Sequence, residues 1–108
     1  MRLLVMIVSD TDADRLMRRL VEVNIPATKV SSTGGFLRKG SATILSGVAG
    51  EQVDEVVELV REECRARTEY VPAQMLPFLE APYLSAQTQV RVGGGIVFVL
   101  PVERFVKT

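Results

Sequence analysis

Leu3-Leu4-Val5-Met6-Ile7-Val8-Ser9-Asp10-Thr11-Asp12-Ala13-Asp14 is the stretch that decides the fold. Its first six residues form a continuous apolar run rich in branched side chains, which suits a well-buried strand. The run gives way to helix-start residues. Asp10, Thr11, Asp12 and Asp14 carry short acceptors for orphan N–H groups, and the acids favour the positive end of a helix dipole. Thr11 and Asp14 have capping-box spacing, with Asp in place of the preferred Glu. Ala13, Leu16, Met17 and Leu20 then recur at helical intervals, so a helix is expected to run to Val23. Asn24 stands where a helix end needs a left-handed residue, and Pro26 forbids continuation.

Working outward, residues 27–32 read as a second strand, broken by Thr33-Gly34-Gly35. Residues 36–40 read as a loop and 41–48 as a third strand. A second helix is expected over residues 51–67, with Val53, Val56, Val57, Val60 and Cys64 on one face. Glu58/Arg61 and Glu63/Arg67 lie at pairing distance on its wet side. A short strand over 69–71 precedes residues 72–86, where Pro72, Pro77 and Pro82 exclude regular structure. Residues 88–92 alternate as a half-buried strand does. Gly93-Gly94-Gly95 reads as a hairpin turn into a last apolar strand over 96–100, stopped by Pro101.

The order strand, helix, strand, strand, helix, strand predicts one α+β domain over residues 1–108, ferredoxin-like βαββαβ with a C-terminal hairpin. Such a sheet carries its helices on one face. The other face stays bare unless a second copy covers it, so self-association is expected.

Composition narrows the function. Lys and Arg number 13, as do Asp and Glu, so the net charge is zero. That lacks the surplus of cations on which non-specific nucleic-acid binding rests, and no nucleic-acid partner is expected. Histidine is absent, which removes the commonest general base and metal ligand. Cys64 is the sole cysteine, which rules out an internal disulfide and a thiolate metal cage and fits a reducing compartment. The apolar run over 3–8 is too short for a signal peptide or a membrane span. A cytoplasmic, non-membrane protein is the expectation.

Catalysis finds little to work with. Asp10, Asp12 and Asp14 are a possible hard-cation cluster, but no glycine turn or distal Glu completes a calcium loop, so capping is the reading and no metal is expected. Cys64 reads as a small apolar residue of the buried stripe. Gly35 and Gly40 have the spacing of a P-loop. Ser41 stands where that motif needs Lys, and the segment joins two strands, so the match fails.

The informative segment is 28–40. Ser31, Ser32 and Thr33 adjoin Gly34 and Gly35, which free the backbone to aim successive N–H groups at one anion. Phe36 offers a ring on which an adenine stacks, and Arg38 and Lys39 supply positive charge. The pattern suits a nucleotide. It equally suits a plain Gly-Gly turn with one aromatic residue packed inward.

Ser32-Thr33-Gly34-Gly35-Phe36-Leu37-Arg38-Lys39-Gly40, with Thr43 and Gly47-Val48, resembles the PII-like cyclic di-AMP receptor family. So do Gly93-Gly94, Val97-Phe98-Val99-Leu100-Pro101-Val102-Glu103 and Phe105, the helix ending at Asn24, and Val53-Asp54-Glu55-Val56. The resemblance covers nearly the whole chain. It implies a non-enzymatic signal-transduction protein without a cofactor, a homotrimer that binds one cyclic di-AMP in each cleft between subunits. Ligand-induced loop ordering would then present a surface to a downstream protein.

Carried over by position, the resemblance implies ligand contacts from Asn24, Thr28, Gly35, Phe36, Leu37, Gly47 and Phe98. Thr28 would hydrogen-bond the ligand, and Gly35, Phe36 and Leu37 would shape the pocket. Gly47 would let an adenine approach the backbone, and Phe98 would pack beside the ligand from the core. This chain departs from the family pattern in places. Pro26 stands where the family often has Arg, Ser41 replaces an Asn, and Lys107 replaces a Gln but offers a cation to a phosphate. The stretch from Met75 to Leu84 is apolar where the family has a polar, glycine-rich loop, so residues 72–86 are expected to pack on a neighbour or serve as a docking patch. Two rivals remain: a trimeric interaction module that has lost cyclic di-AMP binding, and a binder of another adenine nucleotide.

Overall fold

The apolar run becomes β1 (Arg2–Ser9), the strand around which the sheet is built. A computed structural model describes residues 1–30, 40–72 and 87–108, with side chains described for 1–30, 40–66 and 93–108. β1 leads directly into α1 (Asp10–Glu22), then β2 (Thr28–Val30), β3 (Ser41–Val48) and α2 (Val53–Cys64). β4 (Arg67–Pro72), β5 (Gln87–Val92) and β6 (Gly95–Pro101) complete the chain. The main sheet has the order β2-β3-β1-β6, with antiparallel pairing at every step. It is a ferredoxin-like fold of two interleaved βαβ units, β1-α1-β2 and β3-α2-β6.

β4 and β5 lie outside this sheet. They pair with each other as a two-stranded ribbon inserted between α2 and β6. The strand expected over 69–71 is therefore longer and belongs to the ribbon. Gly93 and Gly94, at φ 81° and 88°, turn the chain from one sheet to the other; they do not close a hairpin between β5 and β6. Local patterning locates strands but leaves the partner of each open. β6 carries the unbroken apolar pattern that a place beside β1 requires.

The helices cover one face of the sheet. Leu4, Met6 and Val8 of β1, with Ala42, Ile44 and Val48 of β3, alternate inward and are buried. Ala13, Leu16 and Leu20 of α1 and Val56, Leu59, Val60 and Cys64 of α2 close over them. The expected stripes hold except at Val57, which is half-buried and outside the core cluster; Met17 and Val53 are half-buried at the margins and Leu59 is added. Removing one such buried Leu side chain costs about 2–5 kcal/mol.

The helix ends differ from expectation in instructive ways. Ser9, in extended conformation, is the residue before α1, and its Oγ lies 2.9 Å from Thr11 Oγ1. The Thr11/Asp14 capping box does not form, because the helix starts two residues earlier, with Ser9 at the cap position, and Asp14 accepts from Lys29 Nζ at 3.3 Å. α1 ends in a Schellman motif: Ile25 N–H donates to Leu20 O at 2.9 Å and Asn24 N–H to Val21 O at 3.0 Å. Asn24 takes the left-handed conformation this requires, at φ 60°. α2 is preceded by a 3-10 turn, Gly50–Gln52, whose Gln52 Oε1 accepts from Ala49 N–H at 2.9 Å. It stops at Cys64, short of the expected Arg67, because Arg65 is extended and the chain turns into the ribbon. Glu58 pairs with Arg61 at 3.0 Å as expected. The Arg67 side chain of the expected Glu63/Arg67 pair lies outside the described residues, and its backbone belongs to β4; Glu63 reaches α1, at Arg19 Nη1, 2.7 Å away.

Candidate functional site

The alternation that buries one face of the sheet leaves the other open. Strand register places side chains on that open face in rows. Thr28 of β2, Leu45 of β3, Val5 of β1 and Phe98 of β6 lie side by side in one row. Val30, Thr43, Ile7 and Ile96 form the next row, and Gly47, Leu3 and Leu100 another. Ile96 is 55% exposed, Phe98 50% and Leu100 44%, so β6 lines one margin of an apolar face that no described element covers. A contiguous apolar surface of this kind marks an interaction site in a soluble protein.

Of the nine residues singled out from the sequence, Thr28, Ser41, Gly47 and Phe98 lie on this face. They do not converge within one chain. Thr28 and Phe98 sit on opposite edge strands, three strand spacings or about 14 Å apart. Ser41, opposite Ser9, and Gly47, opposite Leu3, lie toward opposite ends of β3. Phe98 is half exposed and lies outside the core cluster. Asn24 is exposed beyond the C-terminus of α1, near the start of β2, where Ser46 Oγ donates to Pro26 O at 2.6 Å. Lys107 is exposed on the segment that leaves the far end of β6, where Val102 N–H donates to Met1 O. Gly35, Phe36 and Leu37 lie outside the described residues.

Among the described residues of its own chain, nothing requires Gly47 to lack a side chain. Its φ is not positive, and a Cβ built on it meets nothing within 4 Å. Glycine inside a strand weakens it unless something else approaches the backbone there.

Asp10, Asp12 and Asp14 do not gather into a metal site; among the described residues no group of three or more carboxylates or thiols is placed to hold an ion. Asp12 is fully buried and pairs with Arg15. The Arg15 Nε lies 3.6 Å from Glu63 Oε2, and Arg19 joins Glu62 at 3.1 Å and Glu63 at 2.7 Å. The hydrogen bond to Glu63 is the largest cause holding the Arg19 guanidinium above its ordinary pKa. Sequence reasoning missed this network, since charges on two separate helices carry no sign of which will meet. A hollow of about 420 Å³ lies between α2 and the start of β6, lined by Val57, Val60, Arg61, Cys64, Gly94 and Val97 among others. No helix among the described residues is long and apolar enough to cross a membrane.

Comparison with known proteins adds what geometry leaves open. A family model described as "Cyclic-di-AMP receptor" matches residues 1–108, the whole chain. A crystal structure of a functionally unknown protein from Pediococcus pentosaceus ATCC 25745 is similar at 36% identity, over 99% of this chain and 96% of that one, with a TM-score of 0.76.

Proposed function

This chain belongs to the cyclic-di-AMP receptor family, and from that premise we propose that it is a signal-transduction protein that binds cyclic di-AMP in clefts between the subunits of a homotrimer. The observation that carries the cleft is the separation of Thr28 and Phe98. They share a row of one sheet face but lie on its two edges. A small dinucleotide reaches both kinds of contact if the β2 edge of one subunit stands beside the β6 edge of the next. The apolar face with its exposed Ile96, Phe98 and Leu100 supplies the surface for such association.

In this reading Thr28 hydrogen-bonds the ligand, Gly47 leaves its backbone open to an adenine, and Phe98 packs against the base from the adjoining subunit. Gly35, Phe36 and Leu37 form the rest of the pocket, with Asn24 and Ser41 at its margins. Lys107, which has no ion pair among the described residues, meets a phosphate. Its charge replaces in part the cation that Pro26 does not supply. Two phosphates must give up water on binding, so charge-assisted bonds are needed to offset that cost. The ligand is bound and released unchanged, without a cofactor. Binding shifts the population of loop conformations that a downstream protein reads, with residues 72–86 as its docking segment. The protein acts in the cytoplasm.

Isothermal calorimetry of the full chain with cyclic di-AMP tests the ligand, with cyclic di-GMP and ATP as controls, and sedimentation tests the assembly. Saturable heat with cyclic di-AMP alone, one site per subunit of a trimer, supports the proposal. A trimer that gives no heat with any of the three leaves an interaction module; heat with ATP instead reassigns the ligand.

A further inference from the structure

The described body has two places where a long segment leaves and returns. Segment 31–39 departs after Val30 and returns at Gly40; the β4–β5 ribbon departs after Cys64 and returns at Gly94. Both return points are tied to helix ends. Gly40 O accepts from Asp10 N–H, at the start of α1, at 2.8 Å. Cys64 O, at the end of α2, accepts from Gly94 N–H at 2.5 Å. Between these two ties stands one side chain, Arg15. It pairs with the buried Asp12 in the first turn of α1, lies 3.6 Å from the Glu63 carboxylate and donates to Glu63 O at 3.4 Å, one residue before Cys64. Arg19 braces Glu63 from the next turn at 2.7 Å.

We infer that the Asp12–Arg15–Glu63 bridge is a relay that couples the root of segment 31–39 to the root of the β4–β5 ribbon. The geometry has the features that coupling needs. The contacts are contiguous, each runs through a helix end, and Asp12 is fully buried, so its pair with the half-exposed Arg15 is screened less than a surface pair. A shift of Gly40 moves the first turn of α1; Arg15 carries that to Glu63 and so to the carbonyl that holds Gly94. The ribbon is the element this reaches most easily, because a two-stranded ribbon on its own is marginally stable. The relay's use in signalling rests on the proposed ligand reading: a dinucleotide held by segment 31–39 would be sensed at the ribbon. The coupling itself does not depend on that ligand.

Hydrogen exchange of the ribbon amides, 67–72 and 87–92, in the full chain tests it. Gly40 has φ +91°, so Gly40→Ala strains the root of segment 31–39 whatever the space around it. Gly40→Asn, milder because Asn tolerates positive φ, takes its place if that variant does not fold. The strained variant is expected to raise ribbon exchange about threefold or more, within the range of measured coupling effects. In a Glu63→Gln background, which keeps the shape and removes the charge, the same change is expected to have no effect at the ribbon. Glu58→Gln, which breaks an exposed pair on the same helix, should leave the response intact. Ribbon exchange that ignores the Gly40 change, or responds equally with and without the Glu63 charge, overturns the relay. Calorimetry on the same proteins reads the ligand separately. If cyclic di-AMP gives no heat, the ligand reading falls while the Gly40 comparison still decides the coupling. If it binds, wild-type ribbon exchange should slow on binding, and Glu63→Gln should abolish that slowing with affinity retained.

Discussion

Truncating Phe98 to Ala should loosen the proposed trimer while sparing the subunit fold. A Phe side chain offers about 200 Å² of surface, and Phe98 is 50% exposed in the single chain, so about 100 Å² awaits a partner. At about 25 cal/mol per Å² its burial contributes about 2.5 kcal/mol per subunit, of which Ala forfeits about 2. Three subunits lose about 6 kcal/mol per trimer, or about four decades in the trimer dissociation constant. That constant goes as the square of concentration, so the midpoint of dissociation rises about a hundredfold. Sedimentation velocity over a concentration series reads this midpoint. The control is Val99→Ala, one residue on and 45% exposed, which register places with Leu4 on the helix-covered side. Its midpoint should move far less. If both variants shift the midpoint equally, or Phe98→Ala leaves it unmoved with an unchanged melting temperature, the open face is not where subunits meet.

Three further substitutions separate fold from ligand. Asn24→Gly keeps the left-handed cap and should leave thermal stability within a few tenths of a kcal/mol, whereas Asn24→Val should cost about 1–2 kcal/mol; if Asn24 contacts the ligand, both weaken cyclic di-AMP binding in calorimetry. Gly47→Ala adds a Cβ that meets nothing within 4 Å among the described residues, so the melting temperature of the subunit should hold while ligand affinity falls; unchanged affinity would remove Gly47 from the site. Pro26→Arg restores a cation at an exposed position that has no backbone N–H to lose. Its expected gain is about ten- to a hundredfold in affinity, the worth of one charged hydrogen bond, and no gain in calorimetry would place the phosphates elsewhere.

The fold was legible where the signal is local. The apolar run of β1, the acids that open α1 and the 3.6-residue stripes of both helices depend on near neighbours, and the structure follows them. Asn24 was legible for the same reason: only a left-handed residue closes a Schellman end, and Asn is among the few that tolerate it. What stayed hidden depends on residues far apart in the chain. That β5 pairs with β4 and β6 with β1 follows from how the whole sheet packs, and a two-residue alternation is the same in either arrangement. Helical spacing offered Glu63 only the local candidate Arg67; that tertiary packing also brings it within 2.7 Å of Arg19 on the other helix is not written in either helix's own pattern. The nucleotide-suited residues of 28–40 were visible as a composition, but in the proposed cleft which of them face a ligand depends on the adjoining subunit, which local patterning does not encode.

The placement of Thr28 and Phe98 on opposite edges has a thermodynamic consequence for a receptor. When a ligand's contacts come from two subunits, it binds the assembled form and not the separated chains. Ligand then stabilises the trimer by RT ln(1 + [L]/Kd) for each occupied cleft, and by reciprocity the subunit interface raises ligand affinity. At a ligand concentration of about one hundred times Kd the gain is about 2.7 kcal/mol per cleft. That is comparable to the roughly 2.5 kcal/mol worked out for burying one Phe98. A face that is apolar but carries no strong charge suits such a balance. In the proposed trimer such a face brings three copies together, and the dinucleotide's own contribution is of a size to set how tightly they hold.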